Sequence, residues 1–194
     1  MERLKSDIGD KYGPKAENLS ILKRNGFPVP NGHVLKAEEN LSDVDLDGPF
    51  AVRSSSFEED QSDKSSAGQF ETVLNVDKVD LDYAIADCRE DGPIPLIIQG
   101  MQDFNIGGVL FTNMHGNAIL ETAEGGPHNV VSGEIRPETI TREESSSMLS
   151  DTEKNMIFQF GDAIESLFGS PQDIEWGIND GVFWITQSRP IVNG

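Results

Sequence analysis

The residues with the clearest chemistry lie in the last part of the sequence. They are two carboxylates, an amide and a guanidinium, contributed by Asp173, Glu175, Gln187 and Arg189. Carboxylate and amide oxygens hold divalent cations, and the arginine fork binds phosphate. Each pair sits in a run of aromatic and β-branched residues, and the two runs flank a turn tripeptide at 179–181. This pattern predicts a β-hairpin.

The register of this hairpin decides whether its two polar pairs meet, because strand side chains alternate between faces. A two-residue loop would put Gln187 on the face opposite to Glu175. A three-residue loop, 179–181, would bring both to one patch. We predict the longer loop, with Gly181 at positive φ; the alternative is a plain edge hairpin whose polar face is wet.

The composition restricts the class of protein. The chain has 194 residues, enough for one domain or two small lobes. Its 34 acidic and 15 basic residues give a net charge of −19, which argues against a nucleic-acid partner. The sequence has neither an apolar run of membrane-spanning length nor a signal-peptide core, and its single cysteine, Cys88, fits a reducing compartment. We therefore expect a cytoplasmic protein without a membrane partner.

The N-terminal part predicts a loop followed by a helix. Residues 7–15 form a glycine-containing loop, and residues 16–25 have helical spacing, with Gly26 as a stop. Lys15 would lie at the helix N-terminus, where a lysine is mildly unfavourable. A bound phosphate would explain it, and a solvated side chain is the alternative.

A second candidate phosphate contact follows a short apolar strand. The strand runs into Arg53 and three serines, and a polar segment rich in serine, 57–72, comes next. Such a loop can fold over phosphates with its backbone N–H groups. A disordered surface loop is an equally good interpretation from the residues alone.

The rest of the chain alternates short helices and strands. We predict these elements: a strand at 73–76, a helix at 81–88, a buried strand at 95–101, antiparallel strands at 107–112 and 118–123, and a capped helix at about 150–168. The last helix should turn Met156, Phe160, Ile164 and Leu167 to the core. His33 and His115 lie beside turns and are expected at the surface.

Taken in order, the motifs resemble the nucleotide-binding domain of the pyruvate phosphate dikinase and phosphoenolpyruvate synthase family. The motifs that carry the resemblance are GFPVPNG at 26–32, AVRSS at 51–55, TVLNV at 72–76, GGVLFT at 107–112, VVSG at 130–133, DIEW at 173–176 and QSRP at 187–190. The resemblance implies an α+β, ATP-grasp-like fold for residues 1–194. Its two lobes, about 1–95 and about 96–194, would lie around a nucleotide cleft.

The resemblance also implies cofactors and site residues. ATP and Mg²⁺ are the expected cofactors, with Glu175 and Gln187 as metal ligands and Arg53 and Arg189 as catalytic phosphate contacts. Residues 66–69 would form a mobile lid, and the backbone edge of 99–101 would read adenine. The implied nucleotide contacts are Lys15, Arg53, Ser66, Ala67, Gly68, Gln69, Gln99, Gly100, Met101, Glu121, His128, Asp173 and Arg189. The chain departs from the family at His128, where the family has glutamate, and at residues 13–16, where the family is richer in glycine.

The function implied by the resemblance is phosphoryl transfer. In the family, a histidine on a separate swivelling domain takes the β-phosphoryl group of ATP, and this chain has no room for that domain. We expect an ATP-dependent, dikinase-like phosphotransferase that passes a phosphoryl group to a histidine-carrier protein or domain in trans. The alternatives are a self-sufficient small-molecule kinase or ligase of ATP-grasp type, and a nucleotide-binding module without turnover.

Overall fold

The computed structural model describes residues 1–56, 72–133 and 135–191. These residues form two compact units, Met1–Gln102 and Asp103–Gly194. The division falls later than the predicted boundary near residue 95, because the strand at Leu96–Gly100 pairs with two strands of the first unit. Within the described ranges, no helix is both long and apolar enough to span a membrane.

The first unit is built on a five-stranded antiparallel sheet. Its strands are β1 (Glu2–Arg3), β2 (Gly32–Leu35), β3 (Phe50–Ser54), β4 (Thr72–Val76) and β5 (Leu96–Gly100). Their spatial order is β1-β2-β5-β3-β4. The central strand β5 reads LIIQG and is buried at its first four residues, as an apolar run covered on both faces requires.

The described part of the first unit also contains two helices, and short 3₁₀ turns at Asp10–Tyr12 and Lys78–Asp80 precede them. The helices are α1 (Gly13–Arg24) and α2 (Leu81–Asp87). Helix α1 buries Ala16, Leu19 and Leu22, whose spacing places them on one face. Helix α2 buries Leu81, Ala84 and Ile85 in a cluster that includes residues of β3 and β5.

The second unit is also built on a five-stranded antiparallel sheet, ordered β10-β9-β6-β7-β8. Its elements are β6 (Ile106–Met114), β7 (Asn117–Glu124), α3 (His128–Val131), β8 (Glu138–Ile140), α4 (Asp151–Phe168), β9 (Gln172–Asn179) and β10 (Val182–Pro190). Trp176 and Ile185 are fully buried and Ile174 is almost so. The two predicted hairpins of this half and the predicted helix at about 150–168 are confirmed.

Helix α4 begins and ends as predicted, but its core face is shifted. The Ser150 side chain accepts from the Glu153 N–H and Glu153 accepts from the Ser150 N–H, which forms a capping box. The buried residues of the helix include Ile157, Phe158, Gly161 and Ile164, whereas Leu167 is 37% exposed. The predicted face was wrong at Leu167 because Gly161 lies against Leu110 of β6 and centres the contact there. A Cβ atom at Gly161 would lie 2.4 Å from that side chain.

Candidate functional site

The closing hairpin, β9–β10, turns through two residues. Asn179 pairs with Val182, so the loop consists of Asp180 and Gly181, whose φ values are 48° and 76°. Positive φ at both positions is what a type I′ turn requires. The predicted positive φ of Gly181 is confirmed. The predicted three-residue loop is wrong, because aspartate, like glycine, tolerates the left-handed conformation.

A β-bulge at Thr186 then sets the register. Ile185 pairs with Trp176 and Gln187 pairs with Glu175, which leaves Thr186 as the extra residue. Without the bulge, the two-residue loop would set Thr186 opposite Glu175 and turn Gln187 to the other face. The extra residue in the bulge shifts the register by one, which returns Gln187 to the face of Glu175. Gln187 and Glu175 therefore share a face, as the sequence predicted, but a different device brings them together.

The same face continues across the second sheet. Glu175 lies opposite Val109 of β6, which lies opposite Glu121 of β7. Asp173 and Arg189 form the next pair on this face, because alternate residues of a strand share a face. We call the resulting set the polar patch: Glu121, Asp173, Glu175, Gln187 and Arg189.

An ion pair fixes the arginine of the polar patch. The Nε atom of Arg189 donates to Oδ2 of Asp173 at 2.8 Å, and Nη2 lies 2.8 Å from the same oxygen. Asp173 is only 9% exposed, whereas the Arg189 side chain is 47% exposed. A charge-assisted contact with a buried carboxylate therefore holds a guanidinium that solvent can still reach.

Burial and like charge act together on the carboxylates. Burial raises the pKa of Asp173; Arg189 opposes the shift and the Glu175 charge adds to it, so the pKa stays above its usual range. Burial also raises the pKa of Glu121, and the charge of Asp173 raises it further. The polar patch thus concentrates negative charge where it is costly, and a cation would relieve that cost.

The donor set suits a cation that the protein holds only in part. Among residues 1–56, 72–133 and 135–191, no group of three or more histidine, cysteine, aspartate and glutamate side chains could hold a metal ion. Glu175 and Gln187 offer one carboxylate and one amide oxygen on the same face. Mg²⁺ is commonly bound through one or two carboxylates together with water and substrate phosphates. The oxygen donors of the polar patch are therefore of the kind that Mg²⁺ accepts.

In the first unit, the structure joins the two elements that carry Lys15 and Arg53. Lys15 lies in the first turn of α1, and Arg53 lies two residues before Ser55. The N–H of Ala16 donates to Oγ of Ser55 at 3.0 Å. Gly13 has φ of 79°, and a Cβ atom there would lie 1.5 Å from the Ser55 carbonyl oxygen, so only glycine allows this approach. The start of α1 and the end of β3 are thus fixed against each other.

The expected adenine-reading edge at residues 99–101 is not open at its N–H groups. The N–H of Gly100 donates to the Asn31 carbonyl and that of Met101 to the Pro49 carbonyl, at 2.9 and 2.8 Å. Gln99 is 3% exposed. Strand β5 is central and has a neighbour on each side, and the assignment of residues 99–101 to adenine recognition stays a prediction.

The three histidines lie in different environments. His33 is 5% exposed and its Nε2 atom lies 3.0 Å from Oδ1 of Asp45, so the predicted surface position is wrong; the residue lies inside β2 rather than beside a turn. His115 is exposed in the β6–β7 turn as predicted, and His128 is exposed at the start of α3. The predicted lid residues Ser66, Ala67, Gly68 and Gln69 lie outside the described residues.

One aromatic residue beside the polar patch was missed. Phe104 packs on Gly177, where a Cβ atom would lie 2.4 Å from the ring. Gly177 pairs with Gly107 and shares the face of Glu175. Two glycines at corresponding positions of neighbouring strands were the available signal, because strand glycines mark a close approach.

The chain matches a described family over most of its length. The family is "Pyruvate phosphate dikinase, AMP/ATP-binding domain", and the match covers residues 31–91 and 140–193. A probable phosphoenolpyruvate synthase of Archaeoglobus fulgidus is 30% identical over 199 residues, which cover 73% of this chain and 26% of that protein. A rifampicin phosphotransferase of Streptomyces sviceus is 28% identical over 200 residues, which cover 73% of this chain and 23% of that protein. The chain therefore spans about a quarter of the length of these relatives.

Solved structures establish the fold. The D-alanine–D-alanine ligase of Bacillus anthracis aligns with a TM-score of 0.62 at 15% identity, over 94% of this chain and 57% of that one. Its complex with ATP aligns with a TM-score of 0.57 at 16% identity, over 90% and 53%. These ligases are ATP-grasp proteins, and the likeness concerns the fold alone. The predicted α+β, ATP-grasp-like fold is confirmed.

The raised pKa values predict how stability depends on pH. The stability associated with a raised carboxyl pKa is fully present below the unfolded-state pKa and is lost as the pH rises through the folded-state pKa. Glutamine does not ionise, so Glu121→Gln removes the contribution of Glu121 to this loss of folding stability. The Glu121→Gln chain should therefore gain stability relative to the parent as the pH rises from about 4 towards neutrality. Denaturant unfolding across this pH range measures the difference.

The exposed Glu124 of the same strand provides the control for this test, since Glu124→Gln should leave the pH dependence close to that of the parent. A difference between the Glu121→Gln chain and the parent that stays constant with pH would contradict the raised pKa.

Proposed function

We propose that this chain, which belongs to the pyruvate phosphate dikinase AMP/ATP-binding domain family, is the ATP-binding part of a phosphotransferase. The polar patch is the observation that carries the proposal. Its residues come from strands β7, β9 and β10, and the bulge at Thr186 places them on one face. A plain edge hairpin would not require this arrangement.

Within this proposal, Glu175 and Gln187 hold magnesium that arrives with ATP. The oxygen donors of the two residues lie on directly paired positions of β9 and β10. The metal would neutralise phosphate charge beside three carboxylates whose own charge repels a nucleotide. In a chain with a net charge of −19, this neutralisation is a condition for binding a polyanion.

Arg189 orients phosphate in this proposal, and Asp173 positions Arg189. The Asp173 carboxylate holds Nε and Nη2 of the guanidinium, and solvent reaches about half of the side chain. Lys15 and Arg53, which belong to the first unit, are also proposed as phosphate contacts. The contact between Ala16 and Ser55 supports them as a preorganised pair, because it joins the start of α1 to the end of β3.

The proposed acceptor is a histidine on a separate protein or domain. Phosphoryl transfer requires the acceptor to reach the phosphorus in line and closely. Of the chain's three histidines, His33 is buried against Asp45 and His115 is part of a strand connection. His128 is the exposed alternative inside the chain.

We expect nucleotide binding to depend on Mg²⁺ and on Glu175. Removing Mg²⁺ leaves the phosphates facing the carboxylates of the polar patch, and replacing Glu175 removes the charged ligand proposed to hold the metal. In either case the affinity for ATP should fall at least about tenfold, or about 1.4 kcal/mol. Calorimetry with ATP in Mg²⁺ and in EDTA measures this for the parent, Glu175→Gln and the control Glu124→Gln. Equal affinity in Mg²⁺ and EDTA would contradict the metal assignment.

Arg53→Ala and Arg189→Ala should each weaken ATP binding more than they weaken folding. Each change removes a charge-assisted contact of roughly 1.5–3 kcal/mol. The exposed Arg136 supplies the control, and Arg136→Ala should leave ATP affinity near that of the parent. A variant that unfolds while its folded fraction binds ATP normally would identify that arginine as structural.

The isolated chain should turn over little ATP and should label a histidine on another polypeptide. The test uses ATP labelled at the β-phosphate, first with the chain alone and then with protein fractions from its source. Rapid stoichiometric labelling of the chain itself, abolished by His128→Ala, would make it a self-contained phosphotransferase. Rapid turnover with a small metabolite and no second protein would support the kinase or ligase alternative.

A further inference from the structure

The first unit carries a groove that is lined by none of the proposed nucleotide contacts among the described residues. The groove has a volume of about 710 Å³ and lies between β4 and α2. We call it the β4–α2 groove. Its lining combines residues 73–77 with side chains from the helix and from the segments on either side of it. Lys15 and Arg53 do not line it.

Strand β4 is the last strand in the order of the first sheet, and among the described strands it has β3 as its neighbour. Its ladder is interrupted between the Phe50–Val76 and Val52–Val73 pairs. Asn75, which falls within this interruption, has φ of 57°. A bulge of this kind protects a sheet edge against the addition of another strand. Recognition at this surface therefore falls to side chains rather than to the backbone.

Apolar side chains are exposed at the groove. Leu74 is 37% exposed and Tyr83 is 79% exposed, and both line the groove. Tyrosine is among the residues that contribute most to protein interfaces, because it adds a large rigid surface with a polar end. The groove thus offers an apolar contact for an inserted side chain.

The rim of the groove is acidic. Its described lining includes four carboxylates, from Asp77, Asp80, Asp87 and Glu90. Two neighbouring cations of the described residues make their hydrogen bonds elsewhere. Lys78 donates to the Val44 carbonyl, and Arg89 donates to the carbonyls of Ile94, Glu39 and Lys36.

We propose that the β4–α2 groove docks a lysine- or arginine-rich segment of another protein that presents one aromatic or aliphatic anchor. The carboxylate rim would attract the basic residues and orient the segment. Leu74 and Tyr83 would pack against the anchor. The same rim repels nucleotides and a second copy of this acidic chain, so neither matches the groove. This proposal does not depend on the proposed nucleotide site.

The test uses a fluorescent synthetic peptide of alternating lysine and glycine with one central tryptophan. A second peptide has serine in place of the tryptophan. Fluorescence anisotropy at low and high salt should show binding of the tryptophan peptide that weakens with salt. The serine peptide should bind more weakly, because it lacks the anchor.

Two variants address the groove directly. The triple change Asp80→Asn, Asp87→Asn and Glu90→Gln should weaken binding of the tryptophan peptide by about tenfold or more. Tyr83→Ser should weaken binding of the tryptophan peptide but not of the serine peptide. Both variants alter exposed side chains, and circular dichroism verifies that they fold.

The matched control is the triple change Asp43→Asn, Asp103→Asn and Glu143→Gln, which removes the same charge from exposed positions outside the groove. It should leave peptide affinity nearly unchanged. An equal loss in both triple variants would overturn the proposal in favour of general attraction to an acidic protein. Failure of the tryptophan peptide to bind, or indifference to Tyr83→Ser, would also overturn it.

Sedimentation tests whether a second copy of this chain occupies the groove. If the parent chain dimerises and Tyr83→Ser abolishes the dimer, the groove binds a second copy and the proposal is wrong. ATP calorimetry on the groove variants should match the parent. A failure of the proposed nucleotide site would therefore be seen separately from a failure of this docking surface.

Discussion

One inserted residue in the closing hairpin determines the chemistry of the second unit. The type I′ turn at Asp180 and Gly181 is short and well matched to strand twist, but by itself it would send Gln187 to the face of Trp176. The bulge at Thr186 shifts the register by one residue, and it lies directly beyond the core pair Ile185–Trp176 along the strand. Core packing and the polar patch are thus satisfied by the same two strands.

The polar patch is electrostatically costly in the absence of a ligand. Three acidic side chains share one face of a sheet in a chain that already carries a net charge of −19. Burial raises the pKa of both Asp173 and Glu121, and Arg189 offsets only part of the charge around Asp173. Functional sites commonly keep groups that destabilise the fold, because a ligand of opposite charge binds more favourably to them.

Much of the fold could be predicted from local patterns. The capped helix at about 150–168 and the antiparallel strands at 107–112 and 118–123 are each decided within a few residues, and each agrees with the structure. The errors arose where distant residues decide. The core face of α4 depends on how closely Gly161 approaches Leu110.

The hairpin shows the same limit within the candidate site. The residue types at 173, 175, 187 and 189 indicated a shared polar face, and the sheet register has them on one. Loop length and bulge compensate each other, however, so residue types alone could not distinguish a three-residue loop from a two-residue loop followed by a bulge. The burial of His33 was missed for a related reason, since its partner Asp45 lies in the loop that follows β2.

The division of the chain after Gln102 has a consequence for its synthesis. Every described strand of the first sheet lies before this point, and every described strand of the second lies after it. Among these strands neither sheet takes one from the other half, so the ribosome releases the strands of the first sheet before it makes those of the second. Domains generally fold as units in the order of their synthesis. This arrangement lets the early half close its own hydrogen bonds without waiting for the late one.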